Sequence, residues 1–186
     1  MDAVTKTRSS KQMLYISMIS MVMMFAGLTS AYIISRKRED WVSFELPQAL
    51  YVSTLLIILS SITFILAKKA LNKANREQTT LFLVLTLLLG FGFVYFQGVG
   101  FYQLRAAGFY VAGEGSVVSG ALLVVISFMH ILHVLAGLLV LLVVIYNHFK
   151  QRYSPEHKLG LELGGIFWHF VDILWLFLFV FFFFIR

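Results

Sequence analysis

The sequence predicts an all-α, polytopic membrane protein that folds as a bundle of five transmembrane helices. Its 186 residues are 60% hydrophobic and only 13% charged, and the mean hydropathy is +0.86. A soluble domain is typically about 45–50% apolar and about 25% charged. Because so few polar side chains cannot cover a globule of this size, the composition excludes a soluble enzyme and a disordered chain. We expect a single transmembrane domain, 1–186.

Five long apolar runs define the predicted spans, and both prolines lie outside them. Each run reaches or approaches the roughly 20 residues that a helix needs to cross about 30 Å of hydrocarbon. Helix is the expected conformation because lipid offers no hydrogen-bond partner to an exposed backbone group. The spans cover about residues 13–35, 49–67, 79–104, 117–147 and 161–185.

The first run follows a basic tail, as the apolar core of a secretory signal peptide does. It continues, however, through Tyr32, Ile33 and Ile34, which makes it too long for a typical signal core. We therefore expect this run to be retained as the first helix of the bundle.

The distribution of lysine and arginine predicts the orientation of the bundle, because cytoplasmic loops carry an excess of both. The N-terminal tail and the turns after spans two and four contain ten: Lys6, Arg8, Lys11, Lys68, Lys69, Lys73, Arg76, Lys150, Arg152 and Lys158. The opposite side contains Arg36, Lys37, Arg38, Arg105 and Arg186. We expect the N-terminus in the cytoplasm and the C-terminus outside. The net charge of +6 is thus a topology signal, and no nucleic acid partner is expected.

The glycines of span three and the tryptophans of span five are interpreted as packing residues and not as parts of a binding or catalytic site. Gly90, Gly92, Gly98 and Gly100 indicate close helix approach in span three, since no strand–turn–helix context for a phosphate loop surrounds them. In span five, two tryptophans lie seven residues apart and flank its polar face. We expect this pair to pack against a partner or lipid: Trp168 and Trp175.

The residues that could carry chemistry are the ionisable groups of the last two spans. The chain has no cysteine, which excludes disulfides, iron–sulfur clusters, covalent c-type haem and metal sites that need thiolates. An ionisable side chain at the membrane centre costs about 2.5–3.5 kcal/mol on insertion scales, so each needs a partner or a function. Span four contains His130 and His133, and span five contains Glu162, His169 and Asp172.

Helical spacing places these residues on facing surfaces of the two spans. The two histidines of span four share a face with Gly137, and the acids and histidine of span five share a face with Gly165. Together with Gly164, these glycines would let two antiparallel helices approach closely. We predict a buried polar cluster near mid-membrane, with Glu162 at its cytoplasmic end and these four members: His130, His133, His169 and Asp172.

Three roles remain open for this cluster. A structural clamp is favoured, in which Asp172 binds an imidazole and the polar groups fix which helix faces meet. A proton relay is the second hypothesis, because ionisable groups within a membrane often mark proton pathways. The third is a metal site formed by His130, His133, His169 and Asp172. A single haem would need His133 and His169, since His130 and His133 lie on one helix face.

Two motifs in the last spans resemble cytochrome c oxidase subunit III. Residues 128–137 fit the pattern F-x-H-x-x-H-V-x-x-G, and residues 168–177 fit W-H-F-V-D-x-x-W-L-F, which is similar to that family's final helix almost residue for residue. Weaker similarity extends back through Glu45-Leu46-Pro47 and Phe25-Ala26-Gly27. The resemblance covers essentially the whole chain.

The resemblance implies an integral, cofactor-free subunit of a haem–copper oxygen reductase in the bacterial cytoplasmic (inner) membrane. Haem and copper would be held by the catalytic subunit I, and the other partners would be further oxidase subunits and membrane phospholipids. The family's role is to stabilise the catalytic subunit through turnover and to support proton uptake, so no residue here is expected to be catalytic, cofactor-binding or metal-binding. The alternative is an independent proton-coupled transporter, or a membrane haem or metal protein, that uses the His/Asp cluster.

Three features depart from the family pattern. Well-studied members have seven helices, and this chain resembles the last five, as in a short form found among prokaryotic oxidases. We therefore expect the family's lipid-binding cleft to form here only if another subunit supplies one of its walls. Met21 and Gly100 stand where many members have glutamate. A mechanism that depends on those two acids therefore cannot be carried over to this chain.

Overall fold

The computed structural model describes residues 3–39, 41–43, 45–110, 117–155 and 158–185. It contains five helices, each long and apolar enough to cross a membrane: α1 (Ala3–Ser35), α2 (Gln48–Asn72), α3 (Arg76–Ala106), α4 (Val118–Phe149) and α5 (Leu159–Ile185). The predicted all-α, five-span fold is therefore confirmed. Most helices extend beyond the predicted spans, above all at the start of α1, because hydropathy marks the hydrocarbon-crossing part while backbone hydrogen bonds continue the helix.

Contacts between helix ends show that the five helices alternate in direction. At one end of the bundle, Lys11 of α1 contacts Glu162 of α5 at 3.1 Å, and the Thr80 hydroxyl of α3 lies 2.9 Å from His148 Nε2 of α4. At the opposite end, the backbone N–H of Ala49 donates to the side-chain carbonyl of Gln103 at 3.3 Å. The start of α1 thus lies at the same end of the bundle as the starts of α3 and α5, and which membrane face this end meets stays a prediction.

Helix α1 is not a neighbour of the helix that follows it. Helices α2, α3, α4 and α5 form a closed ring, whereas α1 lies outside the ring and packs against α4 and α5. The connecting segment from 36 to 47 is long enough to cross the end of the bundle, since an extended chain spans up to about 3.3–3.6 Å per residue. Ser119 at the start of α4 ties this segment down by donating to the carbonyl of Val42 at 2.6 Å.

Most of the core lies between the four ring helices, and the rest lies where α1 packs against α4 and α5. Along α2 the buried residues recur at steps of four and three, as expected for a helix with one face turned to its neighbours: Ser53, Ile57, Ser60, Phe64, Ala67 and Leu71. Two tryptophans of α5 point into the same space and are among the largest fully buried side chains. The interior of the bundle is therefore a mixture of aromatic rings and small hydroxyl groups.

Candidate functional site

The two tryptophans of α5 connect it to α2 through hydrogen bonds. Trp168 Nε1 donates to Ser60 Oγ at 3.1 Å, and Trp175 Nε1 donates to Thr54 Oγ1 at 2.9 Å. Both indoles are buried within the bundle, with Trp168 only 2% exposed. The prediction that they face a partner or lipid is therefore wrong. A buried indole N–H needs an acceptor, and the hydroxyls of Ser60 and Thr54 on α2 provide the two acceptors.

The Trp168 indole occupies space that two glycines leave open. A Cβ atom on Gly90 of α3 would lie 2.9 Å from Trp168 Cη2, and 2.8 Å from Leu138 Cδ2. A Cβ atom on Gly137 of α4 would lie 3.1 Å from Trp168 Cε3. Because Ser60 binds the same ring from α2, all four ring helices meet at this one side chain.

Gly164 and Gly165, the two glycines of α5 that were predicted to allow close helix approach, face different helices. A Cβ atom on Gly164 would lie 3.1 Å from Val144 Cγ2 on α4. A Cβ atom on Gly165 would lie 2.9 Å from Phe64 Cε1 on α2. The backbone of α5 thus approaches α4 on one side and α2 on the other, which is consistent with its place in the ring.

His130 and His133 of α4 lie beside aromatic rings. His130 is fully buried, and its ring centroid lies 5.2 Å from that of Trp175 and 5.9 Å from that of Phe93. Neither of its ring nitrogens has a hydrogen-bond partner among the described residues. His133 Nδ1 lies 2.7 Å from the carbonyl oxygen of Met129 on its own helix, so Nδ1 is the donor. Neither histidine is hydrogen-bonded to another helix.

His169 and Asp172 of α5 both face the Ser61 hydroxyl group of α2. His169 Nδ1 lies 2.7 Å from Ser61 Oγ, and the His169 ring packs edge-on against Phe64 at 5.6 Å between centroids. The Ser61 hydroxyl also faces the carboxyl of Asp172. No hydrogen bond of ordinary length joins Ser61 to Asp172, whose two oxygens have no partner among the described residues although the residue is only 3% exposed.

Glu162 binds a lysine at the end of the bundle. Its Oε2 accepts from Lys11 Nζ at 3.1 Å, and the side chains are 25% and 36% exposed, respectively. An ion pair this exposed typically contributes about 0–1 kcal/mol. The ion pair therefore shows that the start of α1 lies next to the start of α5, but it adds little to the stability of this contact.

The five predicted cluster residues are thus engaged at three places. His130 and His133 lie among aromatic rings, His169 and Asp172 flank Ser61, and Glu162 binds Lys11. In the part of the chain that the structure describes, no hydrogen bond joins any two of the five. Nor do three or more histidines and acids come together there in a geometry that could hold a metal ion. The structural role of these residues stays a prediction.

The hydroxyls of α2 are the polar groups that the sequence reasoning missed. Besides the two tryptophan contacts, Ser53 Oγ accepts from Gln97 Nε2 of α3 at 3.1 Å, and Thr63 contacts Thr86 of α3 at 2.8 Å. The signal was present in the sequence: Thr54 and Ser60, the partners of Trp175 and Trp168, lie six residues apart on α2, close to the seven-residue spacing of the tryptophans. Serine and threonine are common in membrane helices, however, so this spacing alone did not single them out.

The fold and the site together define a multi-pass membrane protein whose interior polar groups serve contacts between helices. Comparison with known proteins is more specific. Residues 3–186 match the family model described as cytochrome c oxidase subunit III. The chain belongs to this family.

Individual relatives agree with the family match. The chain is 36% identical over 137 residues to cytochrome c oxidase subunit 3 of Oncorhynchus clarkii, covering 74% of this chain and 49% of the relative. It is 34% identical over 139 residues to the protein of that name from Drosophila yakuba, covering 75% and 51%. For Petromyzon marinus the identity is 32% over 137 residues, covering 74% and 49%. The chain therefore spans about half the length of the curated relatives it matches.

The two positions at which the resemblance implied glutamate are apolar in this structure. Met21 is 8% exposed and belongs to the hydrophobic core. A Cβ atom on Gly100 would already lie 3.3 Å from Leu50 Cδ2 of α2. A longer side chain at Gly100 would therefore require the Leu50 side chain to move.

Proposed function

We propose that this chain is the subunit III of a haem–copper cytochrome c oxidase in a bacterial cytoplasmic membrane. In this role it packs beside the catalytic subunit I and other oxidase subunits, stabilises subunit I through turnover and supports proton uptake. The chain holds no haem or metal itself; its partners hold them. The family match over residues 3–186 is the observation that carries the proposal.

The outer surface of the bundle supports a role in a membrane assembly. Among the described helices, α1 contacts α4 and α5 only, and much of its apolar surface faces outward, with Met13 68% and Met23 70% exposed. On α3, Leu88 is 61% exposed. Such surfaces fit lipid or the apolar surface of another membrane subunit, so the bundle offers a neighbour a wide area of contact.

We further propose that the chain binds membrane phospholipid, and a groove beside α1 supports this. The groove has a volume of about 560 Å³ and lies between α1, α4 and the start of α5. Its walls include Leu14, Val140 and Phe167, and polar groups of Asn147 and Tyr153 lie at its edge. An acyl chain fits the apolar walls, and the polar edge suits a head group.

Purification from the native membrane tests the assignment to an oxidase. A tag on this chain is expected to recover a complex that contains a haem–copper catalytic subunit and shows its haem absorption. The same chain purified alone is expected to show no haem absorption and no bound copper or iron, measured by optical spectra and elemental analysis. A stoichiometric haem or metal in the isolated chain would contradict the proposal, and so would the absence of a haem–copper subunit from the recovered complex.

The stabilising role predicts a loss that develops during turnover. Oxidase prepared without this chain should begin oxygen consumption at a rate close to that of the complete complex and then lose activity faster. The reason is that the missing subunit would support subunit I and its proton supply without taking part in oxygen chemistry. The measurement is the oxygen consumption trace, with re-addition of the purified chain as the control. An equal rate of decay in both preparations would contradict this role.

A further inference from the structure

Asp172 is a buried acid that the structural role does not explain. It lies near the middle of α5, is 3% exposed, and neither carboxyl oxygen has a hydrogen-bond partner among the described residues. An isolated ionised carboxylate in a low-dielectric interior costs far more than a neutral carboxylic acid. We therefore expect Asp172 to carry a proton, and a carboxylic acid needs an acceptor for that proton.

The Ser61 hydroxyl stands between this acid and a histidine. Ser61 of α2 faces the Asp172 carboxyl and lies 2.7 Å from His169 Nδ1. A hydroxyl can accept one hydrogen bond while it donates another, so it can pass a proton between two neighbours. His169 and Asp172 lie three residues apart on α5, which places both on the side of the helix that meets Ser61.

His169 connects this arrangement to the end of the bundle. Unlike Asp172, the histidine is only partly buried, and the charge of Lys68 near the end of α2 acts on it. Lys68 belongs to the same end as the Lys11–Glu162 ion pair. By contrast, His130 lies among the rings of Phe93 and Trp175, and its nitrogens have no partner among the described residues.

We propose that Asp172, Ser61 and His169 form a proton-exchange site that connects the interior of the bundle to the end that carries Lys11 and Glu162. When the Asp172 carboxyl and Ser61 Oγ close to hydrogen-bond distance, the carboxyl gives its proton to Ser61 Oγ while the Ser61 proton passes to His169 Nδ1. His169 then releases the proton on Nε2 to water, and a proton from water returns along the same atoms. No electron is transferred, and each atom recovers its starting state.

The site can be tested in the chain alone, because the proposal does not depend on the oxidase. The chain has three aspartates, Asp2, Asp40 and Asp172, and Asp172 lies in α5, which is long and apolar enough to cross a membrane. Full-length chain labelled with ¹³C at the aspartate carboxyl, in lipid nanodiscs, should show an infrared carboxylic acid band that is absent from Asp172→Asn. On transfer to heavy water, this band should shift as the proton exchanges.

The rate of that shift distinguishes a relay from slow opening of the bundle. We expect severalfold slower exchange in Ser61→Ala and in His169→Phe than in the unaltered chain. Ser53→Ala is the matched control, since Ser53 lies on the same helix and contacts Gln97 and the carbonyl of Leu50 instead. A general loosening of the fold would speed exchange, so slowing is specific to loss of the relay.

Ser61→Thr keeps the proposal testable if the alanine variant folds poorly, because threonine retains the hydroxyl and should retain fast exchange. An unchanged exchange rate in both Ser61→Ala and His169→Phe would overturn the proposal. Absence of a protonated Asp172 band in the unaltered chain would also overturn it.

Discussion

Replacing Trp168 by alanine is expected to cause a large loss of stability in the isolated chain. The substitution empties the space between the four ring helices and removes the hydrogen bond to Ser60, while Gly90 and Gly137 have no side chains to fill the cavity. Truncation of a buried tryptophan typically costs about 3–5 kcal/mol. For a chain of this size, each kcal/mol lowers the unfolding midpoint by roughly 2–4 °C.

The measurement is the temperature at which half of the purified chain leaves its monodisperse peak in size-exclusion chromatography. Phe184→Ala is the matched control, because Phe184 is a large aromatic residue of the same helix that is 76% exposed. It should leave the midpoint nearly unchanged. Equal midpoints for the two variants would mean that Trp168 does not hold the ring helices together.

Adding a single carbon atom at Gly90 is the second change expected to have a large effect. In Gly90→Ala the new Cβ would lie 2.8 Å from Leu138 Cδ2 and 2.9 Å from Trp168 Cη2. The leucine end can rotate away, but the indole is held by Ser60 and by the backbone at Gly137. Overpacking of a filled core typically costs about 1–3 kcal/mol, so we expect a lower midpoint.

Gly98→Ala is the control for this substitution, since it makes the same change in the same helix. A Cβ atom at Gly98 would meet nothing within 4 Å. Alanine also favours helix over glycine by about 0.8–1 kcal/mol, so this variant should be as stable as the unaltered chain or slightly more. If Gly90→Ala matches it in the same heating experiment, the close approach of Trp168 to α3 is not present in solution.

The helices could be predicted closely because their formation in lipid depends on local properties. Length, hydropathy and the need of each backbone group for an internal hydrogen bond are all read along the chain. The spans predicted at 49–67 and 79–104 lie within α2 (Gln48–Asn72) and α3 (Arg76–Ala106). The motif around 168–177 similarly indicated the family that the comparison over residues 3–186 establishes.

The neighbours of α1 could not be predicted from the sequence. Short connections favour neighbouring helices, yet α1 packs against α4 and α5 and not against α2. Nothing in the apolar sequence of α1 distinguishes one neighbour from another, because lipid-facing and helix-facing side chains are equally apolar. The surrounding helices therefore decide its place.

The candidate site was predicted in its residues but not in its contacts. His130, His169 and Asp172 are buried or partly buried, as expected, but the expected contact between Asp172 and an imidazole is absent among the described residues. Instead, Ser61 lies between His169 and Asp172. The hydroxyls of α2 account for the difference. They bind His169 of α5, which had been expected to meet α4, and the two tryptophans of α5, which had been expected to meet a partner or lipid.

The sequence by itself determined that this protein crosses the membrane as five helices and that a few polar groups must lie inside. Both follow from chemistry that acts within one segment, namely the hydropathy of its side chains and the hydrogen bonds of its backbone. Only the tertiary structure decided that Trp168 meets Gly90, Gly137 and Ser60, and that His169 and Asp172 meet Ser61. Those contacts depend on how far each helix is rotated and how deeply it sits, which packing among all the helices sets together.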